Sequence, residues 1–462
     1  MAANWYDYLI IAGIPFLVTF LVFPKQISFM KKIDWIGNDV HKLSRPAVAE
    51  SGGITVLIGL VVGFCLLMIF LQQYLIMYLL CLISTACAAG VGFLDDKIRL
   101  SAFKKIFSVL IAAIPMTVAY LYGLIPGRPN LPFLGDIHIP LLYIPFIPGF
   151  LAVLMNVVNM YEGYNGQGSG TSLVTAIALV IAAIIEGSES ALLAAIMVAA
   201  CLLAFYYYNR FPAKVFPGDI GTLEIGMVLG CVAIFGHLEF VLIVAVIPQV
   251  FNAFHVIRRF GFKESKEFKG AKDIEVIEGD LIKASTSADA PLTVPRIIAS
   301  RKPITEPQLV KNLVLVDAPP AAMAALSAIL VKATSEGNFA SLFVIVGLIV
   351  VVVICVLVFV TLPAIRGMTV AFALVYAAAL FLLWFIENYV IGLGALNWLV
   401  AGFLALVGMG LWYILSMTYF KRVTIRRDGN ATSDGKSSGP ATDTGNGAEG
   451  SDADAITPTE EE

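Results

Sequence analysis

The stretch NVVNMYEGYNGQGSG, Asn156–Gly170, decides the fold. The apolar run before it, Leu141–Met155, reads as a membrane helix. The stretch then breaks into Asn, Glu, Gly and Gln where such a helix leaves the lipid. Asn156 and Asn159 lie three apart, so a continuing helix carries both amides on one face. The glycines beyond permit turns closed to other residues and let backbone approach a ligand. An ordinary interhelical loop contains the same residue types, so its meaning depends on what else shares its side of the membrane.

Working outward, the 462 residues are 59% apolar with a mean hydropathy of +0.87. Repeated apolar runs of about 18–25 residues indicate an all-α polytopic membrane protein with about ten to twelve spans, and they exclude an ordinary soluble domain. Spans are expected near Leu9–Phe23, Ile54–Leu71, Tyr74–Phe93, Ile106–Ile125 and Leu141–Met155. Four more follow, near Ser172–Ile185, Ala191–Tyr208, Ile220–His237 and Phe240–Ile257. Residues 1–257 thus form a nine-span core, and 258–319 a charged insertion too polar to cross. Residues 320–422 return to the membrane with spans near Leu342–Leu362, Thr369–Ile386 and Leu396–Phe420. The apolar segment Ala321–Val331 is too short to span comfortably and is expected at the interface. Residues 423–462 read as a disordered acidic tail. All six cysteines sit inside apolar runs without metal-ligand spacing and read as small buried side chains. The first apolar run lacks a preceding basic region and a cleavage site, so it is expected to stay as a span.

Lysine and arginine orient the chain. Lys25, Lys31, Lys32, Lys42 and Arg45 follow the first span; Lys97, Arg99, Lys104 and Lys105 follow the third. Arg210 and Lys214 follow the seventh, and Arg258, Arg259 and Lys263 the ninth. All these loops fall on one side, expected to be cytoplasmic, and the loop after the fifth span falls there too. Twelve spans, however, put Lys421, Arg422, Arg426 and Arg427 on the opposite side, which breaks the rule at the C-terminal end.

Five polar blocks share the cationic face. Asp39–Gly53 mixes His41, Lys42, Ser44, Arg45 and Glu50 before a glycine pair; it reads equally as a solvated basic loop or as an attractor for a phosphorylated substrate. Gly92–Lys105 carries Asp95 and Asp96 directly off an apolar helix, and such acids at a membrane boundary point to function. Lys105 restarts the next helix and can return to the same pocket. The opening stretch is the third block. In the fourth, Asn209–Gly221, Asp219 lies at the start of a span, where it serves either as a helix-terminal acid or, with Asn159 and the aspartate pair, as part of an oxygen site for Mg²⁺. The fifth, Pro248–Arg259, runs into the insertion; His255 there reads as a structural residue rather than a base.

With these residues quoted, the chain resembles the polyprenyl-phosphate N-acetylhexosamine-1-phosphate transferases. The resemblance runs through HKLSRPAVAESGG, GFLDD, NVVNMYEGYNGQGSG, FPAKVFPGDIG and IPQVFNAFH, in order over roughly the first 260 residues. Block detail is more similar to the UDP-N-acetylglucosamine–dolichyl-phosphate branch, in an archaeal relative, than to the bacterial pentapeptide branch. The resemblance implies Asp95 and Asp96 near the lipid phosphate, Lys105 on phosphate, and Asn159 and Asp219 on Mg²⁺, with Mn²⁺ as a substitute. It places Glu50, Gly163 and Asn165 on the nucleotide side. Arg258, Arg296 and Arg301 stand as candidates for pyrophosphate, because the branch's arginine motif has no clean match. Glu162 departs from the family pattern and is not assigned to catalysis. Implied partners are UDP-N-acetylglucosamine, a polyprenyl or dolichyl phosphate and the membrane, with a homodimer allowed and no nucleic acid. The implied setting is the archaeal plasma membrane, or the endoplasmic reticulum in a eukaryote. Rivals are another UDP-sugar donor, such as UDP-N-acetylmuramoyl-pentapeptide or UDP-N-acetylgalactosamine, and a polytopic transporter. A transporter would place its charges at mid-membrane and show related halves.

Overall fold

The computed structural model describes residues 4–390 apart from 99, 126, 138–139, 261–271 and 288, together with residues 410, 414 and 418. The expected span Leu396–Phe420, the tail 423–462 and Arg99 lie essentially outside the described residues.

The protein is an all-α polytopic membrane protein. Among the described residues, ten helices are long and apolar enough to cross a membrane. The first three are α1 (Trp5–Lys32), α2 (Gly53–Phe70) and α3 (Leu75–Ile98). Between α1 and α2, a short hairpin pairs β1 (Ile36–Asn38) with β2 (Ala47–Ala49). The span expected at Ile106–Ile125 is instead two short helices, α4 (Ala102–Ala112) and α5 (Ile114–Leu121), meeting at Ala113. Pro115 cannot continue the ladder across that junction. A small hairpin of β3 (Asn130–Leu131) and β4 (Gly135–Asp136) leads into α6 (Pro140–Tyr161), followed by α7 (Gln167–Glu186), α8 (Glu189–Asn209) and α9 (Gly218–Gly236). The ninth expected span is a broken pair, α10 (Glu239–Ala245) and α11 (Ile247–Phe260), bent by 66° just before Pro248.

Helix α9 is the axis. It is buried almost throughout and packs against α3, α6, α2 and α8. Glycines make the close approaches: a Cβ on Gly226 would meet the backbone at Met155 of α6, 2.6 Å away. The peripheral α15 (Leu342–Thr361) leaves most side chains exposed, including Leu342 and Phe343, and α16 (Arg366–Phe385) fully buries only Met368, Thr369, Phe372 and Tyr376. Exposed apolar surface of that extent is what lipid covers.

The insertion holds a three-stranded antiparallel sheet, β5 (Ile274–Ile277), β6 (Leu281–Ala284) and β7 (Ile304–Thr305), with α12 (Val294–Ala299) between β6 and β7. The structure moves its expected boundary. Instead of ending at residue 319, the insertion gives way to helix at Glu306: α13 (Glu306–Val316) and α14 (Ala318–Glu336) run together as a crossing of 31 residues. Ala321–Val331 is therefore the middle of a span and not an interfacial segment. The ends confirm the crossing. Glu306 meets Asn165 of the opening stretch (2.9 Å), whereas Thr334 accepts from the Phe133 N–H (2.8 Å) and Lys332 donates to the Ile185 carbonyl (2.9 Å), both at the opposite end of the bundle.

Candidate active site

Neighbouring residues on a helix point about 100° apart, so the adjacent acids that end α3 separate. Asp95, 6% exposed, turns to the Lys105 ammonium (2.5 Å) and accepts from the Leu100 N–H (2.8 Å). Asp96 turns to the start of α9, where it accepts from the N–H groups of Asp219 (2.9 Å) and Ile220 (3.4 Å). It thereby satisfies donors that a helix N-terminus leaves orphaned. Asp96 is thus a cap supplied by another helix. Its approach requires Gly218, whose φ is +67° and whose Cβ, if present, would lie 2.6 Å from the Asp96 Oδ2.

Lys105 Nζ also lies 2.9 Å from Asp219 Oδ2 and 3.5 Å from Asn159 Oδ1. Asn159 in turn donates through Nδ2 to Asp219 Oδ1 (2.6 Å) and Thr222 Oγ1 (2.7 Å). Four helices, α3, α4, α6 and α9, therefore bring two carboxylates, an amide oxygen and an ammonium to one point. The donors gathered around that cation are all oxygen, the set that suits Mg²⁺ or Mn²⁺ rather than zinc. Asp219 and Asn159 fit the metal-ligand role on this chemistry.

A cavity of about 290 Å³ opens above them, lined by Asp96, Asn159, Asp219 and Thr222 below and by Asn38–His41, Glu50, Glu162–Asn165 and Phe216–Gly218 around the wall. Backbone bonds zip two of the sequence blocks together here: Phe216 N–H to the Ala49 carbonyl (2.8 Å), Gly52 N–H to that of Phe216 (2.8 Å) and Gly53 N–H to that of Pro217 (3.1 Å). The His41 ring stacks on Tyr164 at 4.2 Å; burial holds the imidazole down to about 4, so it is neutral at pH 7. Lys42, in the block read equally as a solvated basic loop or as an attractor for phosphate, pairs with Asp39 and with Glu306 (2.8 Å). Burial raises the Asp39 carboxyl, and hydrogen bonds from Lys42 and Asn165 more than offset this, leaving it below the usual range. Glu162 accepts from the Gly168 N–H (2.6 Å) at the start of α7. Burial pushes its carboxyl up to about 8 against that bond.

Of the residues singled out in the sequence, Glu50, Asp96, Asn159, Gly163, Asn165 and Asp219 line the cavity, and Asp95 and Lys105 support its floor. The arginine candidates do not line it. Arg296 is 5% exposed and gives its guanidinium to the carbonyls of Ser285 (2.8 Å), Ser287 (2.8 Å) and Ala290 (2.7 Å). It is thereby committed to holding the insertion together, a correction to the pyrophosphate expectation. Arg258 and Arg301 are exposed outside the cavity wall. Sequence reasoning passed over Asp39, Tyr164, Thr222 and Glu306. Thr222 stands three residues after Asp219, one helical turn along, and that spacing alone could have flagged it.

Comparison with known proteins bears on the family. The glycosyl transferase family 4 profile matches residues 76–237. A Sulfolobus acidocaldarius protein, provisionally assigned as a UDP-N-acetylglucosamine–dolichyl-phosphate N-acetylglucosaminephosphotransferase, is 32% identical over 262 residues, covering 55% of this chain and 77% of the relative. The phospho-N-acetylmuramoyl-pentapeptide-transferase of Desulforamulus reducens is 33% identical over 260 residues, with 52% and 77% covered. A provisionally assigned glycosyltransferase of Methanocaldococcus jannaschii is 29% identical over 312 residues, with 67% and 92% covered. The match spans α3 and α9, which carry the acids of the floor, and the chain belongs to glycosyl transferase family 4.

Proposed function

We propose that the protein transfers N-acetylglucosamine-1-phosphate from UDP-N-acetylglucosamine to a polyprenyl phosphate of dolichyl type, releasing UMP. The observation that carries this reading is the convergence of Asp95, Lys105, Asn159 and Asp219 beneath one cavity at the membrane boundary. Both reactants are anionic, so their approach requires fixed positive charge. An oxygen of the lipid phosphate attacks the β-phosphorus of the nucleotide sugar. The bond from that phosphorus to the bridging oxygen breaks, and its electron pair leaves with UMP. Lys105 faces the charge that develops on the phosphoryl oxygens. Asp95 holds the ammonium in place, and Asp96 sets the position of α9 and hence of Asp219. Mg²⁺ or Mn²⁺, held by Asp219 and Asn159, would supply further charge neutralisation for the pyrophosphate. Glu50, Gly163 and Asn165 form the wall that meets the nucleotide.

The core comprises residues 1–257 together with the crossing that begins at Glu306. The cationic loops favour a cytoplasmic cavity. A transporter is disfavoured because the convergent charges sit at one face of the bundle. The test is mass spectrometry of lipids after membranes containing the protein are incubated with polyprenyl phosphate and separate UDP-sugars. A polyprenyl-pyrophosphate carrying one N-acetylhexosamine, formed with UDP-N-acetylglucosamine alone, is the expected product. Product from UDP-N-acetylmuramoyl-pentapeptide instead would move the donor assignment, and no lipid product from any donor would end the transferase chemistry.

A further inference from the structure

Outside the floor, Asp39, Lys42 and Glu306 form a cluster of charged side chains that are 4%, 14% and 3% exposed. Asp39, His41 and Glu306 bring ligand atoms close enough to hold a metal ion. The positive charge there is already supplied, however: the Lys42 ammonium pairs with both carboxylates and lies over the Phe211 ring at 4.7 Å. Asp39 Oδ1 accepts from the His41 N–H (3.2 Å), and two further acceptor oxygens are directed at one residue of the cavity wall. The Asn165 N–H donates to Glu306 Oε1 (2.9 Å), and its Nδ2 donates to Asp39 Oδ2 (3.0 Å). Asn165 is itself 3% exposed. A side-chain amide whose nitrogen is committed to a carboxylate presents its oxygen to whatever enters. The second link runs from the same loop to the insertion, where the Leu43 N–H donates to Asp280 Oδ1 (2.7 Å).

Glu306 comes from a part of the chain remote from the sequence blocks of the site. It follows directly on β7, whose Thr305 pairs with Leu281 of β6, so the sheet of the insertion sets where the carboxylate stands. We propose that Glu306 is a positioning residue for the nucleotide loop: with Lys42 and Asp39 it locks Asn165 and gives the insertion its task, presenting a preformed wall to the donor's base. This rests on the nucleotide-side reading of Asn165 given above. Preorganisation of this kind lowers the cost of ordering a loop on binding, so it acts on donor affinity and leaves the phosphoryl step alone.

Glu306→Ala removes both contacts, whereas Glu306→Gln keeps an oxygen able to accept from the Asn165 N–H. Hydrogen–deuterium exchange on the full-length protein without substrate reads the loop directly. Peptides spanning residues 162–167 are expected to exchange faster in E306A and close to wild type in E306Q. With UDP-N-acetylglucosamine, E306A is expected to raise KM for the nucleotide sugar on the order of tenfold, the scale of a lost hydrogen bond to a charged group. It is expected to leave kcat within about threefold and KM for the lipid unchanged, with E306Q recovering most of the loss. If E306A fails to fold, Asp39→Asn carries the same test through the Asn165 amide: the discrimination between UMP and CMP as inhibitors is expected to fall. Unchanged exchange over 162–167 overturns the proposal, as does a loss confined to kcat. Protection of that peptide by added Mn²⁺ or Zn²⁺ in the wild type would show the cluster to be a metal site instead. The exchange arm needs no substrate, so it decides the loop even if the donor assignment fails.

Discussion

Replacing Lys105 with methionine removes the one ammonium of the floor while keeping an unbranched apolar stem. In the wild type, that ammonium stands between Asp95, at 2.5 Å and 6% exposed, and Asp219, at 2.9 Å and 31% exposed. Its loss leaves two carboxylates facing each other at the membrane boundary. Breaking a buried pair from one side costs about 3–5 kcal/mol. The partial exposure of Asp219 admits screening, so about 2–3 kcal/mol is the better expectation for stability. The chemical effect should exceed that. Losing one fixed group opposite the developing charge costs about 10²–10³ in kcat, or about 3–4 kcal/mol. Thermal unfolding in detergent and UMP release over a matched range of UDP-N-acetylglucosamine separate the two. We expect a lowered midpoint that recovers in part as Asp95 and Asp219 are protonated at acid pH, and a kcat that does not recover. A Lys105→Met protein that releases UMP within about threefold of wild type would refute the role given to this cation, whatever its stability.

Three further outcomes follow from the same geometry. Chelation with EDTA should stop UMP release and added Mg²⁺ or Mn²⁺ should restore it; undiminished turnover in excess chelator would remove Asp219 and Asn159 as metal ligands. Gly218→Ala puts a Cβ into a left-handed residue 2.6 Å from the Asp96 Oδ2. It should destabilise by about 1–3 kcal/mol and lower the thermal midpoint, whereas an unchanged midpoint would argue against Asp96 as the cap of α9. Glu162 carries a carboxyl raised to about 8 by burial against its Gly168 bond. The folded state therefore holds a proton that the unfolded state has released between about pH 4.5 and 8, and stability should fall as pH rises across that window. Glu162→Gln should remove this component of the slope, and an identical slope in the variant would show that the proton sits elsewhere.

Much of this was readable from the chain. Hydropathy located most spans, and lysines and arginines put the five polar blocks on one face, where the structure joins them. What the pattern hid has physical causes. Asp95 and Asp96 read as one pair, but consecutive helical residues diverge, and one binds a lysine while the other caps a helix. Arg296 drew attention as a cation near phosphate chemistry, yet a buried guanidinium satisfies its own donors first, and backbone carbonyls were nearer. Glu306 gave no local signal because the insertion separates it from every other site block. The crossing at Glu306–Glu336 was obscured by Asp317, Pro319 and Pro320, which break the apolar run without breaking the span. Counting that crossing also reverses the parity of everything after it. Arg366 then falls on the cationic side with the other loops.

The cap that Asp96 places on α9 has a consequence for how such an enzyme can change its substrate. On the function proposed above, the phosphoryl chemistry is built from helix ends bolted to one another: α9 rests on α3 through that carboxylate and through the Gly92 contact with Asp219 and Ile220. Little there can vary without dismantling the bundle. The upper wall is made of loops, one of which Glu306 braces from behind through Asn165. Selectivity for the donor can therefore drift in the upper storey while the reaction below stays constant, and a family so built can diversify its sugars without reinventing its catalysis.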